Sequence, residues 1–170
     1  MNYFEFLGLP RSLGIDAKDL EKRFYALSRT LHPDLHSRKS PGEREQAEQS
    51  TAILNDAYRT LRDPIARAEY LLGLEGFDTR EQTTNDVPHE LLEEVFELNM
   101  AMEEADIPQL ESARRKFEGM RGEIDTELQQ TFGQWDATGN RDALSAVRGL
   151  LNRRKYISNL IAKTNVPDRV

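Results

Sequence analysis

The chain has 170 residues, of which 38% are hydrophobic and 31% charged, with a mean hydropathy of -0.70 and a formal net charge of -7. That is enough apolar material for one medium domain or two small ones, and no apolar run approaches the roughly 20 residues needed to cross a bilayer. The absence of cysteine excludes disulfides, thiolate metal sites and thiol catalysis, and the acidic balance disfavours nucleic acid as a partner.

The opening Met1-Asn2-Tyr3-Phe4-Glu5 lacks the basic start and apolar stretch of a secretory signal, so a cytoplasmic protein without a membrane anchor is expected. Charge is unevenly placed. Residues 1–76 hold 11 Lys/Arg against 12 Asp/Glu, whereas residues 77–170 hold 12 against 18. A basic partner should therefore prefer the second half.

Periodicity predicts helices almost throughout. Asp16 is a candidate N-cap, and Leu20, Phe24, Leu27 and Leu31 then recur at helical spacing until Pro33 ends the helix. Leu35 to Lys39 reads as a polar, basic loop. Ser40-Pro41-Gly42-Glu43 combines a cap, a first-turn proline and a capping-box acid. The helix it opens should reach about Arg62, with Ala47, Ser50, Ile53, Leu54, Ala57 and Leu61 as its buried stripe. Asp63-Pro64 restarts a helix that Gly73 should close.

Residues 77–87 read as a linker. Pro88 opens a helix to about Ala105, and Asp106-Ile107-Pro108-Gln109 starts another, carrying Leu110, Ala113, Phe117, Met120, Ile124 and Leu128. Gly133 to Gly139 is expected to be a turn region with Trp135 as a packing anchor. A last helix should span about Asp142 to Thr164. Short turns between long helices predict antiparallel neighbours.

His32-Pro33-Asp34 stands at the end of the second helix. Alone the tripeptide is weak, and a histidine at a helix C-terminus is favourable in any case. Its surroundings make it specific: Tyr3-Phe4-Glu5-Phe6-Leu7-Gly8 lies upstream, and Ala57-Tyr58-Arg59-Thr60-Leu61-Arg62-Asp63-Pro64 with Arg67 and Tyr70 lies downstream. A metal site from His32, Asp34 and His36 is disfavoured, because Pro33 breaks the helix that would align them and no further ligand is apparent. Basic Lys22, Arg23 and Arg29, beside a proline-stiffened turn, suit docking on an acidic protein surface.

Residues 1–76 resemble a J domain. That resemblance implies that His32, Pro33 and Asp34 trigger ATP hydrolysis by a DnaK-type chaperone, while Lys22, Arg23 and Arg29 help docking. Glu21, Tyr25 and Ala26 stand where generic members carry basic residues, which implies a specialised member.

The helix over 88–105 carries two apolar stripes. Leu91, Val95, Leu98 and Met102 form one, expected to face a bundle core; Leu92, Phe96 and Met100 form a second, displaced around the helix. Seven acidic residues lie between Glu90 and Asp106 with no Lys or Arg. A surplus apolar stripe rimmed by Glu93 and Glu97 suits a protein partner. Arg153-Arg154-Lys155 reads as a solvated face, too small for nucleic acid.

A J domain, a linker and a three-helix bundle in this order resemble the HscB family, and Arg67-Ala68-Glu69-Tyr70-Leu71-Leu72 with Gly76-Phe77-Asp78 is similar to that family's passage into its linker. The resemblance implies a co-chaperone that delivers the iron–sulfur scaffold protein IscU to an HscA-type chaperone. It places scaffold binding on Leu92, Phe96, Glu97 and Met100, with Tyr156 on the last helix. Glu93 and Met100 depart from relatives, which have an apolar and an acidic residue there. The family's cysteine-rich eukaryotic extension is missing, which implies the bacterial form.

The expectation is thus an all-α protein. It comprises a J domain over 1–76, built on an antiparallel helical hairpin with short flanking helices, a linker over 77–87 and an antiparallel three-helix bundle over 88–170. It should be no enzyme itself and should need no cofactor or metal. A J-domain co-chaperone for a different client is the first alternative, and a helical hydrolase using His32 and Asp34 the second.

Overall fold

The computed structural model describes residues 1–32, 34, 40–78, 89–104 and 106–165. Among the described residues every regular element is helical, and the chain divides into two compact units, Met1–Phe77 and Asp78–Val170. Pro33, residues 35–39 of the expected basic loop, residues 79–87 of the expected linker and Pro88, the expected start of the next helix, lie outside the described residues.

The first unit holds four helices. α1 (Tyr3–Phe6) is opened by a reciprocal capping box between Asn2 and Glu5. α2 (Ala17–Leu31) is capped by the Asp16 carboxylate, which accepts the Lys18 and Asp19 N–H groups. α3 (Pro41–Arg62) starts where Ser40 accepts the Glu43 N–H, and α4 (Pro64–Leu74) where Asp63 accepts those of Ile65 and Ala66. In both, proline sits in the first turn, where its missing N–H costs nothing.

α2 and α3 form an antiparallel pair. Phe24 stacks on Tyr58 with centroids 4.2 Å apart, and nearer the turn the Thr51 hydroxyl reaches the Leu31 carbonyl over 3.1 Å. Partner numbers thus run in opposite directions along the two helices. The core is Phe4, Leu7, Leu13, Leu20, Leu54, Ala57, Leu61, Ala68, Leu71 and Leu72, all buried. Each fully buried leucine contributes roughly 1.5–3 kcal/mol of transfer free energy.

Two expectations fail in this unit. Ile53 is exposed, because Leu54, one residue on and about 100° around the helix, takes the inward position. Gly73 does not close α4; the helix passes through it to Leu74. The stop is Gly76, at φ 85°, with the Phe77 N–H donating to the Leu72 carbonyl and the Gly76 N–H to that of Gly73. That Schellman pattern needs a left-handed residue after the C-cap, and Gly76 supplies it without a Cβ penalty.

The second unit holds α5 (His89–Glu103), α6 (Ile107–Thr138) and α7 (Arg141–Lys163). α6 and α7 are antiparallel. Arg114 donates to Thr164, Arg121 to Ser158 and Arg154 to Asp125, so each step along α6 moves back along α7. α5 packs on α6, joined by an ion pair between Glu94 and Lys116. Leu91, Leu98, Leu110, Phe117, Ile124, Leu128, Phe132, Leu144, Val147, Leu150, Leu151, Ile157 and Leu160 make the core.

The expected turn at Gly133 to Gly139 is much shorter. α6 continues through Gly133 and half-buried Trp135 to Thr138, and only Gly139, at φ 65°, reverses the chain. A glycine within a helix costs about 1 kcal/mol, which burial of Thr131 and Phe132 just before it offsets. Met102 is exposed rather than core; Ala101 is buried in its place, so the inward stripe of α5 is Leu91, Leu98 and Ala101 with Val95 half-buried. Arg154 is not merely solvated, since its guanidinium pairs with Asp125 at 2.6 Å.

Candidate functional site

The first surface is the end of α2. Helix geometry stops at Leu31, and His32 turns extended at φ -58°, ψ 130°, the conformation a following proline favours. His32 and Asp34 are both exposed. The Asp34 N–H donates to His32 Nδ1 at 3.2 Å. The Asp34 carboxylate stands 3.5 Å from the same nitrogen, long for a hydrogen bond, so the backbone contact sets the ring. With Nδ1 accepting, a neutral imidazole carries its proton on Nε2 as a donor.

The predicted docking cations differ in their surroundings. Lys22 and Arg29 are exposed on α2. Arg23 is half-buried and committed within its own unit: Nε donates to Asp19 at 2.9 Å, and Nη1 to the carbonyls of Gly8 at 2.8 Å and Leu7 at 3.3 Å. It ties α2 to the chain leaving α1.

Sequence reasoning missed the groups that hold the hairpin at its two ends. Thr51 lies against the last carbonyl of α2, and Arg67, 6% exposed, donates Nε to the Leu13 carbonyl at 2.7 Å and Nη1 to that of Leu61 at 2.6 Å. Tyr70 accepts the Tyr3 N–H at 2.9 Å and stacks on its ring at 4.6 Å. Arg67 and Tyr70 carry the motif, but their spacing alone does not disclose that the Leu13 carbonyl and the Tyr3 N–H they meet lie 54 and 67 residues upstream.

The second surface lies on α5. Leu92, Phe96 and Met100 are 51%, 65% and 48% exposed, one turn apart on one line of the helix. His89, Leu92, Glu93, Phe96 and Glu97 line a shallow depression there, and Glu94, Glu97 and Glu104 edge the neighbouring groove between α5 and α6. The result is an apolar ridge bordered by carboxylates. Three large apolar side chains in water forgo roughly 1.5–3 kcal/mol of burial each, which a partner's apolar surface can recover. Tyr156 is half-buried on α7. Among the described residues no group of three or more His, Asp or Glu could hold a metal ion, and no helix is long and apolar enough to cross a membrane.

A capped helical hairpin ending in an exposed His32–Asp34 corner, with residues 2–70 matching the DnaJ domain family, defines a J-domain co-chaperone. Residues 87–165 match the HSCB C-terminal oligomerisation domain. The co-chaperone protein HscB homolog of Shewanella loihica is 36% identical over 96% of this chain and 95% of its own length. The human iron-sulfur cluster co-chaperone protein HscB is 28% identical over 95% of this chain, which spans 66% of the human protein. Among solved structures, chaperone HscB from Vibrio cholerae superposes with a TM-score of 0.72 at 34% identity, covering 96% of this chain and 95% of its own. The human HscB crystal structure gives 0.74 at 28% identity, covering 96% and 80%. The chain belongs to the HscB family of co-chaperones.

Proposed function

We propose that this protein stimulates the ATPase of a DnaK/HscA-type chaperone and delivers an IscU-type scaffold protein to it during iron–sulfur cluster assembly in the cytoplasm, with no catalysis of its own. The observation that carries the reading is that one chain combines two surfaces. One is an exposed His32–Asp34 corner and the other an exposed, carboxylate-rimmed apolar ridge, on separate compact units.

In this reading the first module runs to Gly76, residues 77–87 link, and the second module starts at Pro88. His32, Pro33 and Asp34 stimulate hydrolysis, and Lys22 and Arg29 steer docking through long-range attraction. Arg23 is assigned here to holding α2 in place. Leu92, Phe96, Glu97 and Met100 grip the scaffold, joined by Tyr156 on the strength of family resemblance. Holding the scaffold on the same chain raises its effective concentration at the chaperone.

The test is chaperone ATPase rate with and without this protein and IscU. Stimulation by the wild type, lost in a folded His32→Gln variant, and further raised by IscU, is the expected result. Stimulation without IscU binding would point to a different client, and turnover by the protein alone to a hydrolase.

A further inference from the structure

Lys22, Tyr25 and Arg29 follow one another along α2 at steps of three and four, which places them on a single line of the helix, and His32, the residue that ends it, comes three positions further on. All four are exposed. The centre of this line is aromatic. Tyr25, 52% exposed, lines a shallow and mostly apolar notch with Ser28, Arg29, His32 and Asp34.

The core of the hairpin does not require this ring. Phe24, its neighbour, stacks on Tyr58 at 4.2 Å and 23°, whereas among the described residues Tyr25 has one ring contact, T-shaped against Phe24 at 5.4 Å and 64°. An exposed aromatic between two cations, seven residues from the histidine of the corner, has the character of an interface anchor. Tyrosine brings a large apolar area at the cost of ordering two torsions, and such side chains dominate binding energies where they enter a dry site.

We propose that Tyr25 is a specificity-determining contact for the ATPase chaperone. Its ring enters an apolar site on the chaperone midway between two carboxylates, which meet Lys22 and Arg29. Seven residues of helix place those cations about 10 Å apart along the axis, which fixes the spacing of the carboxylates. This rests on α2 being the docking face. It goes beyond that reading by assigning a large part of the affinity to aromatic burial, which salt does not screen, rather than to charge. A chaperone with charge but no apolar site at that point should dock poorly.

The experiment titrates full-length protein against chaperone ATPase at about 50 and 300 mM salt, across a Debye length of roughly 14 to 6 Å. Tyr25→Ala should raise the half-maximal concentration about five- to twenty-fold while keeping the maximal stimulation and the melting temperature. Tyr25→Lys should recover part of that loss at low salt and lose it again at high salt, whereas the wild type changes less across the range. A half-maximal concentration unchanged in both variants overturns the proposal, as does a rise matched by a fall in melting temperature in both. His32→Gln separates the two claims. If it stimulates fully, the docking reading itself fails; if it is silent while the Tyr25 variants dock like wild type, only the role of Tyr25 fails.

Discussion

The guanidinium of Arg23 donates to the carbonyl of Gly8 over 2.8 Å, and Gly8 itself sits at φ +68°, where a Cβ would come within 3.0 Å of Arg23 Nη1. One contact thus accounts for two features of the sequence, the glycine after Leu7 and a cation on α2. The positive φ disfavours any L side chain, and the close approach would press the guanidinium back by a few tenths of an ångström. Gly8→Ala should lower stability by about 1–2 kcal/mol, read from thermal or urea unfolding followed by circular dichroism.

Arg23→Met separates holding from docking. The loss of bonds to Gly8 and Leu7 should cost about 1–2 kcal/mol of stability, with ATPase stimulation retained at temperatures where the variant is folded. A variant as stable as wild type, but requiring far more protein for half-maximal stimulation, would return Arg23 to the docking surface.

Arg67 is a buried cation held by two carbonyls, from Leu13 before α2 and Leu61 at the end of α3. Removing a buried, hydrogen-bonded charge together with its volume leaves both acceptors in a space without water. Arg67→Met is expected to destabilise the protein by roughly 2–4 kcal/mol. Arg67→Lys should rescue little of it, since one ammonium lacks the planar fork that reaches two acceptors. Urea midpoints of the three proteins decide this.

On the ridge of α5, Phe96 is the most exposed of the three apolar side chains. Phe96→Ala should leave stability within about 0.5 kcal/mol and weaken scaffold binding about tenfold or more, measured by calorimetry with IscU. Met102, exposed on a different line of α5, serves as the comparison. If Met102→Ala and Phe96→Ala weaken binding equally, the ridge is not the gripping surface.

Thr164 is 1% exposed at the end of α7 and receives Arg114 twice, Nε to its hydroxyl at 3.2 Å and Nη2 to its carbonyl at 3.0 Å. Its own hydroxyl donates to Ile161 at 2.6 Å. Thr164→Val keeps the shape but removes the acceptor. A loss of about 1–2 kcal/mol is expected in unfolding experiments, and Arg114→Met should add a further but less than additive loss in the double variant, because only the hydroxyl contact is shared and the bond from Nη2 to the Thr164 carbonyl survives Thr164→Val.

Much of the fold was legible because its signals are local. Asp16, Ser40, Asp63 and Asp106 each cap the helix they were expected to cap, since a side-chain oxygen two or three residues before free N–H groups needs no tertiary help. The exposed ridge of Leu92, Phe96 and Met100 was readable from four-residue spacing on a helix that already had an inward stripe. The His32 corner was readable from its flanking motifs. What misled was the glycines. Gly73 and Gly133 read as stops but lie within helices, while Gly76 and Gly139 do the stopping. A glycine permits a left-handed turn but does not impose one, and flanking burial decides which is used.

The sequence by itself determined the helices, their caps, their pairing and the apolar ridge of Leu92, Phe96 and Met100 left exposed on α5, because these follow from periodicity and from bonds spanning a few residues. Only tertiary structure decided that Arg23 is spent on the Gly8 carbonyl, that Arg67 is buried between Leu13 and Leu61, and that Ile53 and Met102 face water while Leu54 and Ala101 do not. In each case the deciding partner lies on another segment or helix. Which of two neighbouring side chains turns inward, and which cation finds a carbonyl, is settled when the elements pack and one buried arrangement excludes the other.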